Sequence, residues 1–112
     1  NNAKRASAQA DAIEAEAVLR VERERLQGEV EAASVGLASA QTQLQASQQR
    51  AQLARESRAF FQKSYRMGET DLPTRLRIER DASDAERHAA RAGIDLAAAQ
   101  SSLRQTLGLL PE

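Results

Sequence analysis

The 112-residue sequence contains no cysteine and no tryptophan, only two prolines, and only three aromatic residues: Phe60, Phe61 and Tyr65. The absence of cysteine excludes disulfides, thiolate metal sites and cysteine nucleophiles. No apolar run approaches the ~20 residues that a transmembrane helix needs, and no signal peptide is visible. With so few aromatic residues, the chain lacks the side chains that usually fill a globular core.

Charge of one sign is also missing, because 16 lysines and arginines balance 16 aspartates and glutamates. A balanced chain has no basic footprint for nucleic acid. It also has no polybasic anchor for an anionic membrane surface. We therefore expect neither nucleic acid nor a lipid surface as a direct partner of this chain.

What the sequence does contain is alanine, with 23 residues, and leucine, with 12. From about residue 3 to 66 there is no proline, and apolar residues recur at alternating steps of four and three, which predicts one long helix with a heptad seam. The seam is Leu26, Val30, Ala33, Leu37, Ala40, Leu44, Ala51, Ala54, Phe61 and Tyr65. Ser47 fills one gap in this series, and Arg58 breaks it. Weaker apolar positions continue the seam towards the start of the chain.

Helix-breaking residues are concentrated at positions 67–72. Gly68 suits the left-handed position that ends a helix. Thr70 or Asp71 can cap the next helix, and Pro73 is tolerated in its first turn. A second helix is predicted over about 73–107. Its predicted seam is Leu72, Leu76, Glu79, Ala82, Ala85 or Glu86, Ala89, Ala92, Leu96, Ala99, Leu103, and Thr106 or Leu107.

The two seams match if the chain folds back on itself at the turn. Opposed residues then have numbers that add up to about 140, so that Leu44 meets Leu96 and the polar gap at Ser47 meets Gly93. The sequence therefore predicts an all-α fold, a single long antiparallel two-helix coiled-coil hairpin over residues 1–112. The first helix is longer than the second, and about its first 28 residues would lack an intramolecular partner.

Catalytic and metal-binding patterns are not found. His88 is the one histidine, and its helical neighbours Asp84 and Arg91 indicate a solvated helix face. The many glutamates alternate with arginines as in surface ion-pair ladders, without the Glu-x-x-His pairs of a di-metal bundle. Two helices cannot enclose a pocket for a substrate. We expect no enzyme activity, no cofactor and no metal site.

Three features of the hairpin have both a structural and a functional interpretation. Six glutamines over residues 41–52 form either a simple polar face or a wall of an aqueous channel. Basic residues outnumber acidic ones between Gln41 and Met67, which indicates either solvated charge or a docking surface. The aromatic residues and the single methionine beside the turn either staple the hairpin end or contact a partner.

The turn and the second helix also resemble a known family. The segment Ser64-Tyr65-Arg66-Met67-Gly68-Glu69-Thr70-Asp71-Leu72 precedes an Ala/Leu heptad helix that ends in Leu107-Gly108. This pattern resembles the TolC family of outer membrane efflux proteins, and the Gly-Glu-Thr-Asp-Leu-Pro variant is most similar to its cation-efflux, CzcC-like branch. The resemblance covers about half of the chain. Because the sequence begins with Asn1 rather than Met, we expect it to be part of a longer protein.

The resemblance implies a trimeric channel of a Gram-negative outer membrane, in which this hairpin is part of a periplasmic α-barrel. The turn would be the periplasmic tip that meets a periplasmic adaptor protein and, through it, an inner-membrane pump. By position, the adaptor contacts would be Met67, Gly68, Glu69, Thr70, Asp71 and Leu72. Thr74 and Arg77 would line the aperture, where the family's best-studied members carry acids. Transported metal cations are implied by the resemblance alone.

Two other interpretations remain open at this point. The chain could be the coiled-coil hairpin of the adaptor protein itself, although Arg66, Leu72 and Thr74 match the usual adaptor tip pattern poorly. It could also be an unrelated helical spacer or interaction segment. The spacer interpretation gives no special role to the turn residues.

Overall fold

The chain forms two α-helices joined by a short turn, in a computed structural model that describes residues 1–111. Helix α1 spans Asn2–Arg66 and helix α2 spans Leu72–Gly108, and the described residues contain no β-strand. The molecule is 99 Å long, which is the length of a 65-residue helix at ~1.5 Å per residue. The predicted all-α hairpin with a tight turn near residues 67–72 is confirmed.

The predicted seam of α1 lies on the side of the helix that faces α2. Every seam position from Leu26 to Tyr65 is buried or half-buried, and the polar Ser47 is half-buried among them. Arg58 does not interrupt this face as predicted. Its side chain lies in the seam and forms a salt bridge across the hairpin to Glu86, with an N–O distance of 3.0 Å.

The prediction for the start of the α2 seam was wrong. Leu72 and Leu76 are 48% and 58% exposed, whereas Arg75 and Ile78 are half-buried. The true seam follows a strict alternation of three and four residues: Arg75, Ile78, Ala82, Ala85, Ala89, Ala92, Leu96, Ala99, Leu103 and Thr106. The sequence carries two overlapping heptad stripes on α2. The predicted seam took residues from both stripes, because the exposed Leu72 and Leu76 of the second stripe look like core residues in the sequence.

The register of the hairpin agrees with the prediction. One surface groove is lined by both Ser47 and Ala92, and another by Ala40 and Ala99. These pairs have numbers that add up to 139. Gly93 is not needed for close approach of the helices, since a Cβ at this position would meet no atom within 4 Å.

Small side chains form the centre of this interface. The buried residues are Leu26, Ala51, Ala82, Ala85 and Ala92, and no polar residue is buried in the described part of the chain. Two helices cover an alanine fully, but they leave part of each seam leucine exposed. Residues 1–25 are exposed except for the half-buried Ala17, because α2 ends before it can reach them. Neither helix has a stretch that is long and apolar enough to cross a membrane in the described residues.

Candidate partner-contact surface at the hairpin tip

The end of α1 is fixed by backbone hydrogen bonds. Gly68 has a left-handed φ of 74°. Its N–H donates to the carbonyl of Tyr65 at 3.0 Å, and the N–H of Glu69 donates to the carbonyl of Ser64 at 2.9 Å. These two bonds are the Schellman motif, which satisfies carbonyl groups that the helix end would leave unpaired. The tip is therefore a defined turn, with Gly68 at the position that the sequence predicted.

The start of α2 is fixed by Asp71. Its carboxylate accepts a hydrogen bond from the backbone N–H of Thr74 at 3.1 Å, and Pro73 lies in the first turn, where it displaces no helix hydrogen bond. Hydrogen bonds from the Thr74 side chain and backbone hold the pKa of Asp71 below its ordinary value. The hydroxyls of Ser64 and Thr70 are hydrogen-bonded to each other and close the turn.

Polar contacts between the helices are concentrated next to the tip. Besides the Arg58–Glu86 salt bridge, Gln62 Nε2 donates to Glu79 Oε1 at 2.7 Å. The Arg75 guanidinium lies 4.7 Å from the centre of the Tyr65 ring, in a cation–π contact. Because Arg75 replaces the expected Leu76 in the seam, the seam near the tip is polar where the middle of the hairpin is made of alanine and leucine. These polar contacts hold the two helix ends in one alignment.

Large apolar side chains remain exposed around this turn. Phe60, Met67 and Leu72 are 67%, 63% and 48% exposed. The Phe60 ring is edge-on to Phe61, with 5.2 Å between the ring centres. Phe61 is half-buried in the seam, and its ring packs against the ring of Phe60. A shallow groove beside the turn is lined by Phe60, Lys63, Ser64, Met67 and Glu69. The tip thus presents apolar surface with charged residues at its edges, which is the chemistry of a protein-contact site.

The structure brings the six predicted contact residues together in one loop, with different roles. Met67, Glu69 and Leu72 are exposed and available to a partner. Gly68 and Asp71 form the helix ends, and Thr70 is half-buried against Ser64. The loop residues therefore divide into those that shape the turn and those that face outwards.

The two predicted aperture residues lie on the first turns of α2. Thr74 is half-buried and belongs to the helix cap. Arg77 is exposed and pairs with Asp81 at an N–O distance of 3.5 Å. Only Arg77 could meet a solute directly.

The other candidate positions contribute no second site. His88 is exposed, and residues 1–111 contain no group of three histidine, aspartate or glutamate side chains placed to hold a metal ion. All six glutamines between residues 41 and 52 are exposed.

Sequence reasoning missed two features of the tip. Phe60 was grouped with Phe61 and Tyr65, although its position one residue before the seam predicts that it points away from α2. The Arg58–Glu86 contact was not predicted, because Arg58 was interpreted as a break in the first seam and Glu86 as an alternative to Ala85 in the second. Their numbers add up to 144, so the register of about 140 sets them about one helical turn apart, and the length of the two side chains closes the gap.

Comparison with known proteins adds no identification to this geometry. Neither family models, nor curated proteins, nor solved structures match this chain.

Proposed function

We propose that this chain is a wall segment and docking tip of the periplasmic tunnel of a trimeric outer membrane efflux channel. The tip would contact a periplasmic adaptor protein, and an inner-membrane pump would supply the energy for transport. The proposal combines the resemblance of residues 59–110 to the TolC family with the geometry of the tip. In this role the chain carries out no chemistry of its own, and the exported compounds would be metal cations if it belongs to the cation-efflux branch.

The observation that carries the proposal is the exposed apolar surface on a rigid turn at one end of a 99 Å rod. Burying a side chain such as Phe60 or Met67 in an interface is worth about 1.5–3 kcal/mol. The Schellman turn and the Asp71 cap fix the backbone of the loop that carries Met67 and Leu72, so less backbone entropy is lost on docking. A simple closing staple would have buried Phe60 and Met67 instead of exposing them.

The unequal lengths of the two helices also support the proposal. An exposed helix over residues 1–25 has no partner within the chain, as expected of a segment whose neighbours are other helices of a larger wall. The exposed glutamines over residues 41–52 suit an aqueous lumen, because uncharged polar groups do not bind passing ions strongly. A self-contained adaptor hairpin needs no such excess length on one helix.

The proposal is tested in the full-length channel by replacing Met67 with glutamate. Met67→Glu places a charge in the docking surface and leaves the helix seam untouched. We expect the host to lose export of the channel's substrates, with trimer formation and membrane insertion unchanged. Ile94→Glu is the matched control, since Ile94 is 64% exposed and lies far from the tip. Normal efflux with Met67→Glu, or equal loss with both variants, would contradict a docking role for the tip.

Glu69→Lys tests the charged edge of the same surface. The Glu69 carboxylate makes no hydrogen bond to other described residues, so its replacement keeps the turn intact. We expect weaker adaptor binding in a pull-down of the adaptor with the full-length channel, and unchanged binding for Glu24→Lys on the exposed part of α1. Unchanged binding by Glu69→Lys would remove the loop from the proposed contact.

A further inference from the structure

A second apolar stripe runs along the side of α1 that faces away from α2. Eight large apolar side chains between Asn1 and Met67 are exposed, and six of them share one set of heptad positions. The six are Val18, Val21, Val35, Leu53, Phe60 and Met67. One apolar face of α1 is its seam with α2, and these exposed residues form another. A simple hairpin needs only one such face.

The stripe alternates steps of three and four residues without a break. Its members are Val18, Val21, Arg25, Gly28, Ala32, Val35, Ser39, Thr42, Ala46, Gln49, Leu53, Glu56, Phe60, Lys63 and Met67, and all of them are exposed. We call this set the outer stripe. At ~3.5 residues per turn it lies roughly 150° around α1 from the seam. Helix α2 therefore cannot cover it.

Shallow grooves on the outer stripe have the shape that receives a side chain of a packed helix. One is lined by Glu14, Ala17, Val18, Val21 and Glu22. The groove at the tip is lined by Phe60, Lys63, Ser64 and Met67, together with Glu69. Each contains residues at steps of three, four and seven, as every helix face does, and each is apolar enough at its centre to receive a side chain of a packed helix.

The length of the outer stripe restricts its partner. Val18 to Met67 covers about 74 Å along the helix, whereas the 37 residues of α2 cover only about 55 Å. Helix α1 of a second copy is long enough to cover the whole stripe.

Charge decides the direction of the partner. Residues 14–31 carry six acidic and three basic side chains, a net charge of −3, and residues 41–67 carry one acidic and five basic, a net charge of +4. Two parallel α1 helices would place like charge on like charge. Two antiparallel helices place the acidic segment of each on the basic segment of the other.

One antiparallel register also matches the interruptions of the stripe. If facing residues have numbers that add up to about 81, Arg25 of one copy, which already pairs with Glu22 and Glu29 of its own helix, meets Glu56 of the other. In the same register Phe60 meets Val21, Leu53 meets Gly28, and Val35 meets Ala46. Large residues thus face smaller ones and Arg25 pairs with Glu56, while the third charged member of the stripe, Lys63, faces Val18 near the edge of the contact. The register has two-fold symmetry, as expected for a closed dimer.

We propose that two copies of the free chain associate in antiparallel orientation through their outer stripes, with Arg25 of each copy paired to Glu56 of the other. This pairing points the two hairpin tips in opposite directions. It is therefore a state of the free chain and does not depend on the proposed function, in which neighbouring tips point the same way.

Disulfide cross-linking tests the direction and the register, since the natural chain has no cysteine. Val35→Cys and Ala46→Cys chains are prepared separately and mixed before oxidation. We expect the mixed disulfide between the two chains and little cross-linking of either chain alone, because a disulfide needs Cα atoms within about 7 Å. Efficient cross-linking of each variant to itself would show a parallel pair. That result, or no cross-linking in the mixture, would overturn the proposal.

Sedimentation equilibrium over a concentration series tests whether the outer stripe is the contact surface of the dimer. We expect a dimer for the natural chain and at least a ~10-fold weaker dimer for Leu53→Glu, which buries a charge in the contact. Ile94→Glu is the matched control, because Ile94 is 64% exposed and Leu53 is 66% exposed, but Ile94 is outside the stripe. Circular dichroism checks that both variants keep their helix content. A monomeric natural chain, or equal weakening by both variants, would overturn the proposal.

Discussion

Helix α1 contains two regions of similar composition with different surroundings. Residues 30–65 face α2 through a seam that alternates steps of three and four, and every seam position there is at least half-buried. Residues 2–25 are just as helical and rich in alanine, but they are exposed apart from Ala17. Continued back from Leu26, the same heptad steps reach Arg23, Leu19, Glu16 and Ala12, so that charged and apolar residues alternate. Alanine-rich composition thus makes a helix in both regions, but only the region that α2 is long enough to reach has a partner within the chain.

The two regions should differ most in the loss of stability when a charged residue replaces an alanine. Ala51 is 2% exposed, so Ala51→Glu buries an unpaired carboxylate and overfills the layer. We expect a loss of about 3 kcal/mol or more in the free energy of unfolding, measured by urea denaturation with far-UV circular dichroism. Ala12→Glu, on the exposed part of the same helix, is the control and changes the unfolding free energy little. Similar effects for the two variants would mean that the seam does not hold the hairpin together.

A smaller effect on stability is expected from a substitution in the turn, which brings α2 back along α1. Gly68→Ala forces a side chain into a left-handed conformation, which costs ~1–2 kcal/mol. Gly36→Ala is the opposite case, because Gly36 is an exposed mid-helix residue whose replacement stabilises by up to ~1 kcal/mol. Thermal unfolding of the two variants gives shifts of opposite sign. A destabilised Gly36→Ala chain would show that α1 is constrained at a position where the structure leaves space.

The salt bridge near the tip is expected to contribute less. Arg58 and Glu86 are partly exposed, at 28% and 39%, and join the two helices. Arg58→Ala should cost ~0.5–1 kcal/mol, since solvent screens the pair. Arg91→Ala removes an exposed pair within α2 and should cost less. A double-mutant cycle of Arg58→Ala and Glu86→Ala isolates the pair, and a coupling energy of zero would mean that the contact does not align the helices.

The smallest expected effect depends on pH. Hydrogen bonds from Thr74 lower the pKa of Asp71 in the folded state, so the cap stabilises the fold when the carboxylate is ionised. This contribution is present above the unfolded-state pKa and is lost as the pH falls through the folded-state pKa. The stability difference between the natural chain and Asp71→Ala should therefore be largest near neutral pH and shrink in acid, at pH values below the ordinary range of an aspartate. Urea denaturation at neutral and at acidic pH measures it, and a constant difference would contradict the capping role.

Much of the fold could be predicted from the sequence, because each heptad seam leaves a regular pattern. The register followed from matching leucine to leucine, and the turn followed from Gly68, Asp71 and Pro73. The first turns of α2 could not be predicted in the same way. Leu72 and Leu76 are apolar without being buried, and the phase of the helix depends on the cap geometry at Asp71.

The position of the turn could be predicted, whereas its role as a contact surface stays a prediction. The structure places residues 67–72 in one turn, and their division into turn-forming and exposed residues needed the backbone geometry. Exposure of Phe60 depends on which of two adjacent phenylalanines enters the seam. The outer stripe was not predicted for a related reason. Helix α1 carries two overlapping apolar patterns, and only the stronger one was interpreted as a contact face.

Amide hydrogen exchange along α1, measured on chains dilute enough to be monomeric, tests the contrast between the two regions most directly. We expect amides of residues 2–25 to exchange at least ~100-fold faster than those of residues 33–58, because only the second region must separate from α2 before it opens. Uniform protection along the whole of α1 at this dilution would show that its stability does not come from pairing with α2, and would contradict the division of this helix into a paired and an unpaired region.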